Sequence, residues 1–212
     1  MRKNGFTMVE LLVGLIISSL LMLTVLAYFK QISFLGMGAS DDSDYETQLE
    51  IGLITIQKIA PDAGYGLGAT DDVEESTFNG RPAVYWRYAD SYVDPNAVGA
   101  PAPLISCKGV STSYALESDK HMHRLLLLES NNCETGALHE ATWTATPIVT
   151  LKADSSDPVY IFSLRQTSCA PFGIGDAMGY ALLQVNAQRK YEYGTGNKNK
   201  IRDICLINIK EP

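Results

Sequence analysis

The sequence predicts an α+β protein in which one long N-terminal α-helix crosses a membrane with its first half and packs on an antiparallel β-sheet with its second. Three observations carry this reading. Residues 11–29 contain no charge, and at about 1.5 Å per residue a helix of that length spans a hydrocarbon core of roughly 30 Å. A second helical period follows, with Leu49, Leu53, Ile56 and Ala60 recurring on one face. From residue 70 onward the apolar runs are short and punctuated by Gly, Pro, Asn, Asp and Ser, the pattern of strands and turns.

The apolar run stays in the mature chain. A signal peptide has a shorter apolar region and ends in a small-x-small cleavage site, which Lys30-Gln31-Ile32-Ser33-Phe34 does not offer. Arg2 and Lys3 precede the run with no acid beside them, which places that end on the cytoplasmic side. Glu10 lies at the run's edge. An ionised carboxylate there costs several kcal/mol unless it has a partner, so an intramembrane acid marks function.

The segment Lys3-Asn4-Gly5-Phe6-Thr7-Met8-Val9-Glu10-Leu11-Leu12 resembles the processing site of type IV prepilins. The resemblance implies the pilin fold, cleavage by a membrane peptidase after Gly5, and methylation of the new N-terminal amine on Phe6. It also implies that Glu10 pairs with the Phe6 amine of a neighbouring subunit. Opposite charges in a low-dielectric helix bundle attract strongly and set the register between helices. A plain signal anchor, with Glu10 snorkelling to the headgroups, is the bland alternative. Gly14, Ser18 and Ser19 allow close helix approach, although such spacing is common in membrane helices. On this resemblance residues 1–5 are a leader, 6–38 the transmembrane and assembly helix, and 39–212 a periplasmic domain. The chain is then expected in the inner membrane as a single-pass protein and afterwards in a pilus or pseudopilus. Its implied partners are other pilins and minor pilins, the prepilin peptidase and the pilus assembly platform.

Beyond the apolar run, Gly36, Met37 and Gly38 are expected to interrupt the helix, and Ser40 with Asp41, Asp42 and Asp44 to cap its resumption. These acids lack the glycine and distal glutamate of a calcium loop. Ile51, Ile54 and Ile59 are expected to broaden the buried face, and Pro61 with Gly64, Gly66 and Gly68 to end the helix. Strands are expected over residues 83–88, 124–129, 159–166, 181–186 and 201–209, with long loops over 89–120 and 130–158.

The helix end Ile56-Gln57-Lys58-Ile59-Ala60-Pro61-Asp62-Ala63-Gly64-Tyr65-Gly66 is similar to that of PilW-type minor pilins. Ala63-Gly64-Tyr65 matches that pattern, while Pro61-Asp62 departs from it. Val159-Tyr160-Ile161-Phe162-Ser163-Leu164-Arg165 is more loosely similar to a strand of the same family. The implied function is a minor pilin in type IV pilus assembly or initiation, at or near the filament tip. Two alternatives remain open: a J-type minor pseudopilin of type II secretion, and a tip adhesin-like subunit that binds through Tyr85, Trp86, Tyr88, Tyr92 and Trp143.

Charge and cysteines bound the remaining classes. The formal net charge is −7, and loss of Arg2 and Lys3 would leave 15 of 17 basic side chains against 24 acidic ones, a balance of −9. That argues against nucleic acid, whose binding depends on phosphate neutralisation by Lys and Arg. Cys107, Cys133, Cys169 and Cys205 form no Cys-x-x-Cys pair, so an exported domain should hold them as disulfides. Cys107 with Cys133 and Cys169 with Cys205 is the favoured pairing of three. His121 and His123 alternate as metal ligands on a strand would, but no acid or thiol stands at ligand spacing, so these and His139 read as ordinary surface residues. With no nucleophile elbow, phosphate loop or dinucleotide loop, no enzyme, cofactor or metal is expected.

Overall fold

The computed structural model of the chain describes residues 8–67, 72–90, 104–118, 120–153, 156–167, 169, 179–188 and 199–210. Helix α1 (Met8–Ile59) leads into a short 3-10 turn (Ala60–Asp62). The strands are β1 (Val73–Phe78), β2 (Arg81–Ala89), β3 (Ile105–Glu117), β4 (Lys120–Ser130), β5 (Thr144–Ala153), β6 (Tyr160–Thr167), β7 (Tyr180–Ala187) and β8 (Lys200–Lys210). All pairings are antiparallel, in one sheet ordered β1-β2-β3-β4-β5 and a second ordered β6-β7-β8. This is the expected α+β, pilin-like architecture, with the antiparallel strands divided between two sheets.

The chain divides into two compact units between Asp44 and Tyr45. Among its described residues the first unit is helix. The expected interruption at Gly36, Met37 and Gly38 is absent, and Ser40, Asp41, Asp42 and Asp44 lie within the helix. A glycine inside a helix costs only about 1 kcal/mol relative to alanine, too little to break a long hydrogen-bonded ladder.

In the second unit, Leu49, Leu53 and Ile56 of the helix and Ala60 of the 3-10 turn are at most 2% exposed. They share one core with Val84 and Trp86 of β2, Leu125 of β4, Tyr160 and Phe162 of β6, Leu183 and Val185 of β7, and Leu206 of β8. One helical face therefore seals both sheets. Ile51 and Ile54, expected to widen that face, are 43% and 61% exposed. At about 100° per residue they project from the side opposite Leu49 and Leu53.

Gly52 marks the closest approach, since a Cβ there would run into the Tyr160 hydroxyl and come within 3.1 Å of Leu125 Cδ2. The Tyr160 hydroxyl donates to the Leu49 carbonyl at 3.2 Å. Burial, with smaller effects from Tyr45 and Glu50, raises the Tyr160 pKa and keeps the phenol a donor. Near the start of this helical segment, Lys200 on β8 donates to Glu46 at 2.9 Å and to Glu50, and Arg202 stands 3.7 Å from Glu50. The Lys200 hydrogen bond lowers the Glu50 pKa against the opposing effect of burial. This contribution is therefore present above the unfolded carboxylate pKa and lost as pH falls through the lower folded value.

The other face of the five-stranded sheet is covered by its own loop. Residues 131–143 cross Ala83, Tyr85, Leu126 and Leu128, and the Cys107–Cys133 disulfide pins them there. A second disulfide joins Cys169 to Cys205, so all four cysteines are paired, in the combination favoured above. Each closes a loop whose restriction of the unfolded chain contributes about 2 to 4 kcal/mol.

The two stretches expected as long loops hold β3 and β5. β3 is rich in Ser, Thr and Gly, yet Ser111 and Thr112 are buried, and Gly109 fits because a Cβ would meet the Val84 carbonyl oxygen at 2.8 Å. β5 is an edge strand whose register with β4 shifts between Leu125 and Leu126, opposite Pro147. A proline and an irregular register both discourage further strand pairing at an edge.

Replacing Gly52 by alanine is expected to lower the melting temperature of the detergent-solubilised chain, although the change gains about 1 kcal/mol of helix propensity where space is open. Adding Tyr160→Phe, which removes the obstructing oxygen, should recover part of the loss. Additive losses in circular-dichroism melts would contradict the close approach.

Candidate functional site

Among the described residues, the apolar surface of the N-terminal helix is exposed. Gly5 and Phe6 lie outside the described residues, and Glu10 stands in the first turn of α1. From Leu11 to Phe29 the large apolar side chains are exposed, Leu12 by 58% and Leu23 by 64%. The hydroxyls of Ser18, Ser19 and Thr24 donate to the carbonyls of Leu15, Ile16 and Leu21 at 3.1, 2.8 and 2.8 Å. The helix thus satisfies its own polar side chains, as an apolar surrounding requires. A Cβ at Gly14 would meet nothing within 4 Å, leaving a shallow place on the surface.

At the other end of the helix, the Ala63-Gly64-Tyr65 stretch forms a junction. Gly64 N–H donates to Arg87 O at 2.8 Å, and Ala89 N–H donates to Tyr65 O at 2.8 Å, fixing the turn to β2. Asn208 Nδ2 donates to the carbonyls of Pro61 at 2.9 Å and Ala63 at 3.2 Å, fixing it to β8. Those bonds are possible because β8 slips register against β7 between Tyr180 and Ala181, freeing the stretch that carries Asn208. Gly64 has φ +72°, and a Cβ there would collide with Ile209 Cδ1. Lys108 reaches Asp62 at 3.4 Å while lying 4.6 Å from the Tyr88 ring centre.

The remaining candidates resolve into structure. His123 is 2% exposed on the interior strand β4, which corrects its reading as a surface residue. It pairs in register with the buried Leu151 of β5, and its ring centre lies 5.4 Å from that of Tyr114 on β3. His121 Nδ1 lies 2.8 Å from the Tyr114 hydroxyl, and His139 Nδ1 pairs with Glu74. Among the described residues no group of three or more His, Cys, Asp or Glu is placed to hold a metal. The aromatic candidates do not converge. Trp86 faces the helix, whereas Tyr85 packs on Trp143 beneath the covering loop with ring centres 4.8 Å apart. Tyr92 lies outside the described residues.

Sequence reasoning missed the polar residues that seat the covering loop. Arg87 Nε donates to Cys133 O at 2.8 Å and its guanidinium also reaches Gly136 O. Glu74 accepts from the Leu138 amide at 2.6 Å, and burial, with Glu74 close by, pushes the Tyr85 phenol up to about 12. The only signal for Arg87 was a charge within a stretch that otherwise reads as an apolar strand, and Glu74 gave none.

Residues 1–26 match the family described as the prokaryotic N-terminal methylation motif. That motif, with the long apolar helix and antiparallel sheets behind it, supports a type IV pilin-like prepilin. Proteins of this kind are structural subunits of pilus-like filaments rather than enzymes, and the apolar helix fits membrane anchoring before assembly. No curated protein and no solved structure matches the chain.

Gly64→Ala is expected to destabilise the chain by about 2 to 4 kcal/mol, combining a left-handed backbone with a steric clash. Gly80→Ala, which shares a positive φ of +75° but has open space, should cost only about 1 to 2 kcal/mol. Urea unfolding that ranks the two equally would contradict the junction geometry.

Proposed function

We propose that the chain is a PilW-type minor pilin that takes part in type IV pilus assembly or initiation, at or near the filament tip. The observation that carries the pilin part is the methylation motif over residues 1–26 running directly into an exposed apolar helix. In this reading a prepilin peptidase cuts after Gly5, Phe6 becomes the methylated N-terminus, and the chain waits in the inner membrane with residues 39–212 in the periplasm. The minor-pilin assignment rests on the Ala63-Gly64-Tyr65 resemblance. That stretch sits where the helix end joins β2 and β8, a place where sequence is constrained by backbone geometry.

Assembly then follows from electrostatics and burial. An exposed apolar helix loses the lipid around it on leaving the membrane, so it must be covered by the helices of other subunits. Glu10 supplies direction within that bundle by pairing with the positive amine of a neighbour's Phe6, an interaction strengthened by the low dielectric.

Glu10→Ala removes this pairing, and breaking one partner of a buried pair typically costs about 3 to 5 kcal/mol. The variant should be inserted and processed normally, with N-terminal mass spectrometry finding a singly methylated Phe6, yet accumulate in the inner membrane while pilus number falls. Entry into sheared filaments at wild-type levels would refute the pairing. An intact Met1 would refute prepilin processing itself.

A further inference from the structure

Lys30 is the first charged residue after Glu10. It is exposed on the helix, and the side chains three and four positions away, Leu26, Ala27, Ser33 and Phe34, carry no charge. No carboxylate is therefore within reach along its own helix. Apolar exposure continues on both sides of it, with Tyr28 at 67%, Phe29 at 68%, Ile32 at 50%, Phe34 at 68%, Leu35 at 62% and Met37 at 64%. The next charges are Asp41, Asp42 and Asp44.

One length coincides with a bilayer. Glu10 and Lys30 are twenty positions apart, a rise of about 30 Å, which is the thickness of a hydrocarbon core. An upright helix thus puts the Lys30 backbone at the edge of that core, from which its side chain reaches the phosphates, with residues 32–37 beside the headgroups, where amphipathic and aromatic side chains settle well.

Resting on the membrane-spanning reading above, we propose that Lys30 is a lipid anchor: its ammonium binds the phosphate of a phospholipid in the leaflet opposite Glu10 and sets the depth of the helix. Tilting the helix to bury residues 32–37 would draw the ammonium below the phosphates. The phosphate contact outweighs the gain from burying those apolar side chains more deeply, a gain that acts unopposed once the ammonium is removed. Lysine's flexible stem lets the ammonium reach its phosphate from the helix surface.

The test places a nitroxide on Phe34→Cys or Ser18→Cys in the full chain, reconstituted in phosphatidylethanolamine–phosphatidylglycerol vesicles; the native cysteines, being paired, do not react. Collisions with oxygen and with a water-soluble nickel chelate report depth. The label at position 34 should lie in the headgroup zone. Lys30→Leu should move it inward by about one helical turn, roughly 5 Å, and Lys30→Arg should leave it in place. An unchanged depth in Lys30→Leu, or a label at position 34 already deep in the unsubstituted background, overturns the anchor. Nickel access to a label at position 18 would instead overturn the spanning reading on which the proposal rests.

Discussion

Tyr160 meets the helix at Gly52, the position where a missing side chain lets β6 come close, and its hydroxyl donates to the Leu49 carbonyl at 3.2 Å. Leu125 of the other sheet reaches the same glycine from β4. Two sheets that share no backbone ladder are thereby held to one helical face. Among the described residues, the helix beyond Tyr45 supplies the apolar face that both sheets share in the core of the second unit. The junction at Gly64, with β2 and β8 bonded to the same turn, fixes where that helix stops.

This arrangement gives one helix two different surroundings. Past Tyr45 one face of the helix is buried, with Leu49, Leu53 and Ile56 in the core, while Ile51 and Ile54 on the opposite side are exposed. Before Asp44 they are distributed around the whole circumference and none of the membrane-length window is buried. A helix apolar all round is stable only where lipid or other helices surround it. The hydroxyls of Ser18, Ser19 and Thr24, each bonded to its own helix, fit the same surrounding. The first unit thus needs lipid or other helices around it.

Much of this was legible in the sequence because it follows from periodicity. The uncharged run, the Leu49-Leu53-Ile56-Ala60 face and the strands around Tyr85, Leu125, Phe162, Leu183 and Leu206 all announce themselves through spacing. β1, β3 and β5 did not, for distinct reasons. Glu74 and Glu75 make β1 look like a solvated turn, although Glu75 accepts the Leu164 amide at 2.6 Å and Glu74 caps the covering loop. β3 is buried on both sides by elements far away in sequence, so its small polar residues gave no alternation, and Pro147 disguised β5. Gly36 and Gly38 misled in the opposite sense, because glycine weakens a helix without ending it. At the candidate site the cleavage and methylation signature was readable as a local motif. The loop seated by Arg87 and Glu74 was not, since it depends on contacts across more than forty residues.

If one helical face holds both sheets, they must lose their structure together. Native-state hydrogen exchange measures this most directly, by comparing the hydrogen-bonded amides of α1 beyond Tyr45 with those of β2 to β4 and of β6 to β8. A shared core predicts that the slowest amides of all three groups exchange at one free energy, that of global unfolding. Exchange of the three-stranded sheet at a distinctly lower free energy, with the helix and the larger sheet still protected, would show that the two sheets are separately stable and would contradict the account.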